Sequence, residues 1–377
     1  MNLLIDENIA LASEAFSPFG NITLLHGRKI TNSNLLNTDA LIVRSITKVN
    51  EELLRNTPVK FVGTATIGTD HIDLEYLSRN GIYFSDAKGC NADAVAEYVF
   101  TLIFRFAAEQ GFSVKDKTIG VVGIGNIGSR IVRLAKALGM NVLMNDPPLQ
   151  RKTGSNEYVP INEIYSADII TLHVPLNKDG IDKTVHLFNE DNLSKLKDNA
   201  IFINASRGQV VDNQSLLNLP NRKNLNLVLD VWENEPKINL DLLKKVNFGT
   251  PHIAGYSLEG KINGTVMIYN ELCKYIKQSP QWKPPFPSVD NSLMTVNPNK
   301  NLEAALDMIF TSIYQIKNDD DSMRSMINMN KEDAGRYFDS LRKNYPLRRE
   351  FTNYSIKFDK HDEGLSRILK TFRFKVI

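Results

Sequence analysis

The feature that most restricts this chain is a glycine-rich turn set between an apolar strand and a helix. Gly123-Ile124-Gly125-Asn126-Ile127-Gly128 directly follows the apolar run Thr118–Val122 and opens a helical stretch, 127–138, that Gly139 is suited to stop. Asp146 closes the next apolar run, 18 residues after Gly128. The pattern GxGxxG alone is weak, but strand, turn, helix and a spaced acid together are specific. Gly123 permits the tight turn, Gly125 lets backbone approach a pyrophosphate, and Gly128 lets helix and strand pack closely. The helix N-terminus then offers N–H groups to the phosphates. A carboxylate at Asp146 accepts hydrogen bonds from ribose hydroxyls and repels a 2′-phosphate, so NAD is expected over NADP.

The rest of the chain extends this α/β theme in both directions. The runs 3–5, 40–43, 60–62 and 82–84 are short and largely apolar and alternate with helical stretches at 50–55 and 74–80. Such runs predict parallel strands covered on both faces. After the glycine turn, runs at 141–144, 169–174, 200–203 and 225–229 predict a second parallel sheet. Longer helices are expected over 93–109, with Val95, Val99, Leu102, Ile103 and Phe106 at helical spacing, and over 257–278. Four prolines from Pro280 to Pro287 mark a linker. The fold class expected is α/β: two doubly wound, Rossmann-like parallel-sheet domains and a small C-terminal α+β dimerisation domain. The boundaries read as 1–95 plus 256–280 for substrate binding, 96–255 for NAD, and 288–377 for the C-terminal domain. That last segment reads as strand–helix–helix–strand–helix–strand. Its small size predicts that a second subunit completes its burial, hence a homodimer. The basic stretch Arg342 to Arg349 reads as a solvated helix end, the sharper alternative being an arginine that reaches the partner's cleft.

Composition excludes several classes. With 42% hydrophobic and 23% charged residues the chain can build a core. A formal net charge of +2 calls for neither a nucleic-acid nor a membrane partner. Cys90 and Cys273 form no CxxC pair and suggest buried thiols in a reducing compartment, with no disulfide and no metal site. The N-terminus MNLLIDEN has no basic n-region, and no apolar run approaches the ~20 residues needed to span a bilayer. A cytoplasmic location is expected.

Three further residues fall where loops leave strands. Arg207 lies in Asn204-Ala205-Ser206-Arg207-Gly208, Glu235 in Asp230-Val231-Trp232-Glu233-Asn234-Glu235-Pro236, and His252 in Gly249-Thr250-Pro251-His252-Ile253-Ala254-Gly255. Open α/β sheets bind ligands at the carboxyl ends of their strands. An imidazole can remove a hydroxyl proton, a carboxylate can orient it and stabilise the imidazolium, and a guanidinium can hold a substrate carboxylate. Singly, each residue is as well explained by loop structure or a solvated charge; after the glycine fingerprint the set suits alcohol oxidation. Arg44-Ser45 and 64–69 also follow strands, and their hydroxyls and one arginine suit a phosphate or polyol as well as they suit ordinary turns. His71 reads as a helix-start residue rather than a metal ligand.

GIGNIG, NASRGQVVD, LDVWENEP and GTPHIAG resemble the signatures of the D-isomer-specific 2-hydroxyacid dehydrogenases, over about residues 1–280. VRSITKVN (43–50), FVGTATIGTDHID (61–73), GCNADAVAEYVF (89–100), GTPHIAGYSLEGK (249–261) and LRKNYPLRRE (341–350) resemble one branch of that family, whose substrate is a phosphorylated small-molecule hydroxy acid. The resemblance implies that Arg207, Glu235 and His252 are catalytic. It implies NAD contacts from Asn126, Ile127, Asp146, Val174, Ala205, Ser206, Arg207, Asp230 and Gly255, with Asp230 at the nicotinamide carboxamide. Ser45, Thr66 and Tyr256 match substrate contacts, with Arg44 beside them. Val174 departs from the threonine of some relatives, which leaves only backbone and methyl contacts there. The resemblance also implies a homodimer. A phosphoglycerate or glycerate dehydrogenase, or an NAD-sensing binding protein of the same fold, is the competing reading.

Overall fold

The computed structural model describes residues 1–219, 224–297, 301–360 and 362–377. They form two compact units: Met1–Asn91 with Ser257–Ser288, and Ala92–Tyr256 with Val289–Ile377.

The first unit is built on a five-stranded sheet of β1 (Asn2–Asp6), β2 (Asn21–Leu25), β3 (Ala40–Val43), β4 (Phe61–Thr64) and β5 (Tyr83–Asp86), in the order β2-β1-β3-β4-β5. Every pairing is parallel. Side chains alternate between the faces, so Leu3, Ile5 and Ile42 join one core with Phe16 and with Ile268, Tyr269 and Leu272 of the helix Leu258–Tyr275. Leu4, Leu41 and Val43 join another with Leu35, Leu53 and Leu77. The edge strand β2 was not among the apolar runs, because Asn21 and Thr23 interrupt NITLL and the strand is mostly exposed.

The second unit holds a six-stranded sheet: β6 (Thr118–Val122), β7 (Asn141–Asn145), β8 (Ile169–Leu172), β9 (Ile201–Asn204), β10 (Asn226–Leu229) and β11 (Phe248–Gly249). Its order is β11-β10-β9-β8-β6-β7, again all parallel. One face packs against the helices Ala92–Gln110 and Asn126–Ala137, the other against a core that contains Leu193, Leu216, Trp232 and Leu242.

The segment after the linker adds a three-stranded parallel sheet of β12 (Leu293–Val296), β13 (Ser355–Phe358) and β14 (Lys375–Val376). Among the described residues three α-helices, not two, separate β12 from β13: Leu302–Ile313, Ile316–Arg324 and Lys331–Lys343. Leu302–Ile313 lies along Ala92–Gln110, with Phe310 edge-on to Phe104 at 5.3 Å and to Phe372 at 4.9 Å. Much of the burial expected from a second subunit is therefore supplied within the chain. The basic stretch is also not a solvated helix end throughout: Arg348 and Arg349 are 7% and 6% exposed. Arg373 bridges Glu97 and Glu350 at 2.8 Å each, while burial and the Glu350 charge push the Glu97 carboxyl up to about 8. Cys90 and Cys273 are buried and are not joined in a disulfide. Among the described residues no helix is long and apolar enough to cross a membrane.

Candidate active site

The glycine turn is shaped by close approach at two positions. Gly123 has φ +89°, and a Cβ there would sit 2.6 Å from the His173 carbonyl oxygen and 2.9 Å from Val174 Cγ1. A Cβ on Gly128 would sit 1.9 Å from the Gly123 oxygen, so only glycine lets the Asn126–Ala137 helix start this close to its strand. At Gly125 a Cβ meets nothing within 4 Å, and no side chain caps the helix. Open space at Gly125 beside a helix N-terminus without a side-chain cap fits a pyrophosphate. Asp146 stands at the end of β7 as expected, but it has a second occupation. Its Oδ2 accepts from Ile124 N at 2.8 Å and its Oδ1 from Leu149 N at 2.9 Å, tying the turn to the next helix. Each oxygen retains a lone pair for a ribose hydroxyl.

Arg207, Glu235 and His252 follow β9, β10 and β11. His252 Nδ1 lies 2.8 Å from Glu235 Oε2, and Glu235 Oε1 accepts from Trp232 N at 2.8 Å. Burial raises the Glu235 pKa, but the His252 charge and hydrogen bond, Trp232 N–H and Arg342 outweigh it and hold the carboxyl below its ordinary range. With Nδ1–H donated to the carboxylate, Nε2 keeps its lone pair. His252 sits at φ +58°, a conformation L-residues adopt only when their surroundings fix it. Asp230 supplies that constraint. Its carbonyl accepts from His252 N at 2.7 Å, and its buried carboxylate accepts from Ile253 N, Ala254 N and Thr250 Oγ1 at 2.7–3.0 Å. Burial raises the Asp230 pKa against those donors.

Several residues that complete this constellation escaped the sequence reading. Asn204 Oδ1 accepts from Ser206 N and Oγ at 3.1 and 2.8 Å, and its amide donates to Arg207 O at 2.9 Å, which fixes the loop of Ala205, Ser206 and Arg207. A Cβ on Gly208 would fall 2.0 Å from the Trp232 carbonyl, so the arginine loop abuts the glutamate loop. Trp232 Nε1 donates to Thr250 O at 3.0 Å and joins the histidine loop. Arg348 Nη2 donates to Ala254 O at 2.8 Å and Ala94 O at 2.7 Å, so the C-terminal segment props the Ala254-Gly255-Tyr256 turn. The signal for the first three was membership of the same short motifs; Arg348 lies in the basic stretch 342–349, whose alternative reading sent an arginine to the partner's cleft rather than to this turn.

Substrate candidates Arg44, Ser45 and Thr66 lie in the first unit, and Tyr256 in the second. Ser45 is exposed and Arg44 half-buried, in a turn closed by Thr47 N to Arg44 O at 3.2 Å. Thr66 Oγ1 lies 2.8 Å from Thr64 Oγ1, which also meets His71 Nε2 at 3.1 Å. His71 does not start the Leu74–Arg79 helix; Asp73 caps it, accepting from Tyr76 N at 2.9 Å. Lys261, unassigned from sequence, has its ammonium pKa lowered by burial and by the Arg44 charge. Elsewhere, His186, Asp212 and Glu233 bring potential ligand atoms within 4.8 Å of one another, but Asp212 caps a helix and Glu233 already binds His186 at 2.7 Å.

The family model for the NAD-binding domain of D-isomer-specific 2-hydroxyacid dehydrogenases matches residues 96–254, and a domain of unknown function matches 286–370. Erythronate-4-phosphate dehydrogenase of Proteus mirabilis is 44% identical over 363 residues, covering 95% of each chain. The Escherichia coli O7:K1 enzyme of that name is 44% identical over 381 residues, covering 100% of this chain and 99% of its own. Among solved structures, D-lactate dehydrogenase from Aquifex aeolicus, complexed with NAD and lactic acid, is 27% identical with a TM-score of 0.60, covering 74% of this chain and 96% of that one. NAD+-bound 3-phosphoglycerate dehydrogenase of Entamoeba histolytica is 25% identical with a TM-score of 0.62, covering 74% and 95%. The chain therefore belongs to the D-isomer-specific 2-hydroxyacid dehydrogenases, in the erythronate-4-phosphate dehydrogenase family, and is an NAD-dependent oxidoreductase.

Proposed function

We propose that the chain oxidises the C2 hydroxyl of 4-phospho-D-erythronate to 2-oxo-3-hydroxy-4-phosphobutanoate, a step of vitamin B6 biosynthesis, as a cytoplasmic homodimer. The observation that carries the chemistry is the 2.8 Å contact between His252 Nδ1 and Glu235 Oε2 beside the Arg207 loop. That contact leaves His252 Nε2 as a base for the C2 hydroxyl proton. The Glu235 carboxylate stabilises the imidazolium that forms as the proton arrives. Arg207 offers a planar fork to the substrate carboxylate and so orients C2. NAD, when bound, supplies the hydride acceptor. Gly123, Gly125, Asn126, Ile127 and Gly128 would hold its pyrophosphate and Asp146 its ribose. Val174, Ala205, Ser206, Asp230 and Gly255 would flank the rest, with Asp230 turned to the carboxamide. Ser45, Thr66, Tyr256 and Arg44 would contact the substrate. In this reading 1–95 with 256–280 form a substrate-binding domain, 96–255 the NAD domain and 288–377 the dimerisation domain.

The test is turnover of 4-phospho-D-erythronate by the full chain with NAD, read as NADH formation. Oxidation of glycerate or 3-phosphoglycerate in preference to 4-phospho-D-erythronate would overturn the substrate assignment. Light scattering at twice the chain mass supports the dimer, and a monomer refutes it.

A further inference from the structure

We propose that Arg342, carried on the C-terminal segment, binds an anionic end of the substrate in the active site of its own chain. The proposal rests on the hydroxy-acid dehydrogenase reading above.

The helix Lys331–Lys343 is built against the catalytic loop. A Cβ on Gly335 would lie 3.0 Å from Lys237 Cγ and 3.7 Å from the Pro236 carbonyl oxygen, so the helix backbone touches the two residues that follow Glu235. Ala334 and Phe338 are buried in the same core as Trp232, and Lys237 pairs with Glu332 at 2.5 Å. Positions 335, 338 and 342 follow i, i+3, i+7 and share one helix face. Arg342 is thereby turned to the loop, whereas its neighbour Lys343 is exposed.

Its surroundings are those of a binding group. The guanidinium carbon lies 5.8 Å from the Tyr256 ring centroid, and the side chain hydrogen-bonds Tyr256. Arg342 Nε is buried with no hydrogen-bond partner. Burial opposes the Arg342 charge, yet the charges and contact of Tyr256, Glu235 and Asp339 overcome it and raise its pKa. Glu235 Oε1 accepts from Trp232 N and its Oε2 meets His252 Nδ1, and Glu235 acts on Arg342 through its charge. A cation in the last turn of a helix is favoured by the backbone dipole. That favours a basic residue at 342 but accounts for neither its inward direction nor the donor left unpaired. A guanidinium keeps its charge in any protein environment and presents donors in a fork matched to carboxylate or phosphate. The proposed substrate carries one of each, and Arg207 accounts for only one.

The experiment compares the full-length wild type with R342A and R342K, using NAD and either 4-phospho-D-erythronate or D-erythronate. R342A should lower kcat/KM about 10–100-fold, mainly through KM, as expected for a lost charged hydrogen bond. NAD affinity should stay at the wild-type value, and R342K should recover part of the loss. A deficit confined to the phosphorylated substrate identifies the phosphate as the ligand; an equal deficit on both identifies the carboxylate. Unchanged kcat/KM in R342A overturns the proposal, as does a fall in kcat alone with KM preserved. Calorimetric binding of inorganic phosphate and of oxalate to the NAD-loaded wild type and R342K keeps the question answerable if R342A misfolds. R342K that binds both anions as the wild type does also overturns it. A wild type that binds the anions but does not oxidise 4-phospho-D-erythronate counts against the substrate assignment, and weaker anion binding by R342K would still uphold Arg342.

Discussion

The two large parallel sheets share a strand order and differ in what ends their first strand. Numbered within each unit, β2-β1-β3-β4-β5 and β7-β6-β8-β9-β10 have the same 2-1-3-4-5 arrangement. In the second unit β6 runs into Gly123-Ile124-Gly125, an open turn at a helix N-terminus without a side-chain cap. In the first, β1 runs into Asp6-Glu7-Asn8, and the Asp6 carboxylate fills the corresponding corner. Asp6 Oδ1 accepts from Asn8 N at 2.9 Å, and a Cβ on Gly27 would lie 2.5 Å from Asp6 Oδ2. One corner is shaped to admit an anion and the other is occupied by one. The sheet offers the position; turn chemistry decides whether it binds a dinucleotide.

The largest effect should come from the later strand ends of the second sheet. H252A should reduce kcat by about 10²–10⁴-fold while NAD affinity is retained, because the base lies on a different loop from the phosphate turn. Near-normal kcat would remove His252 from the mechanism. Glu235 supplies a pH signature for the same pair. Its carboxyl stands below its ordinary value, so it is ionised across the working range and stabilises the imidazolium. E235Q removes that charge from beside His252 Nδ1, so the acid limb of kcat/KM should move to lower pH as the plateau falls. An acid limb that stays in place would separate Glu235 from His252 electrostatically.

Gly125 gives a narrower break. Its φ of −79° accepts a side chain and a Cβ there meets no protein atom within 4 Å. G125V should therefore fold with the wild-type melting temperature and lose roughly a hundredfold in NAD affinity, about 2.7 kcal/mol. G128A, whose Cβ would strike the Gly123 oxygen at 1.9 Å, should instead lower the melting temperature. Fluorescence titration of NADH against both variants checks the distinction. Unchanged affinity in G125V would mean that the open corner is not where the pyrophosphate lies.

What the sequence made legible follows this same division between local and assembled structure. The glycine turn, its strand and Asp146 form one contiguous unit, so their spacing alone identified them. Arg207 and Glu235 were legible because each follows a buried apolar run, and His252 because it sits in the short motif Gly249-Thr250-Pro251-His252-Ile253-Ala254-Gly255. The clasp that makes them one site was not legible. Gly208 against Trp232, Asp230 under the His252 loop, and Arg342 and Arg348 from the C-terminal segment meet only through tertiary packing. The strand β2 was missed because an exposed edge needs no apolar face, and β11 is only two residues long. The third helix before β13 was missed because Ile316–Arg324 is mostly polar and buries only Ile316, Asp320 and Met323.

At the carboxyl ends of β3 and β4 the first sheet carries hydroxyls rather than a base. S45A and T66A should each raise KM for the hydroxy acid about 2–10-fold, the value of a single neutral hydrogen bond, and leave kcat nearly unchanged. T66A removes the contact with Thr64 Oγ1 at 2.8 Å, so its effect should be the larger. A kcat loss as large as that of H252A would place these residues in the chemistry rather than in binding.

The smallest effect tests the comparison at its root. Asp6 is fully buried, its Oδ1 is engaged with Asn8, and its Oδ2 has no hydrogen-bond partner. D6N retains an acceptor of the same shape for Asn8 and replaces a buried charge with an amide. Thr47 Oγ1 lies beside the same corner at Gly27. The exchange should alter stability by no more than about 1 kcal/mol. NAD affinity should remain within about twofold of the wild type, since removing an anion from this corner creates neither the short glycine turn nor the open helix start that β6 leads into. If D6N, or D6G, which removes the side chain altogether, gave a second molecule of bound NAD per chain by calorimetry, shared topology would suffice to make a dinucleotide site once the carboxylate is removed. A single site with unchanged affinity assigns the difference between the sheets to the turn that follows β6.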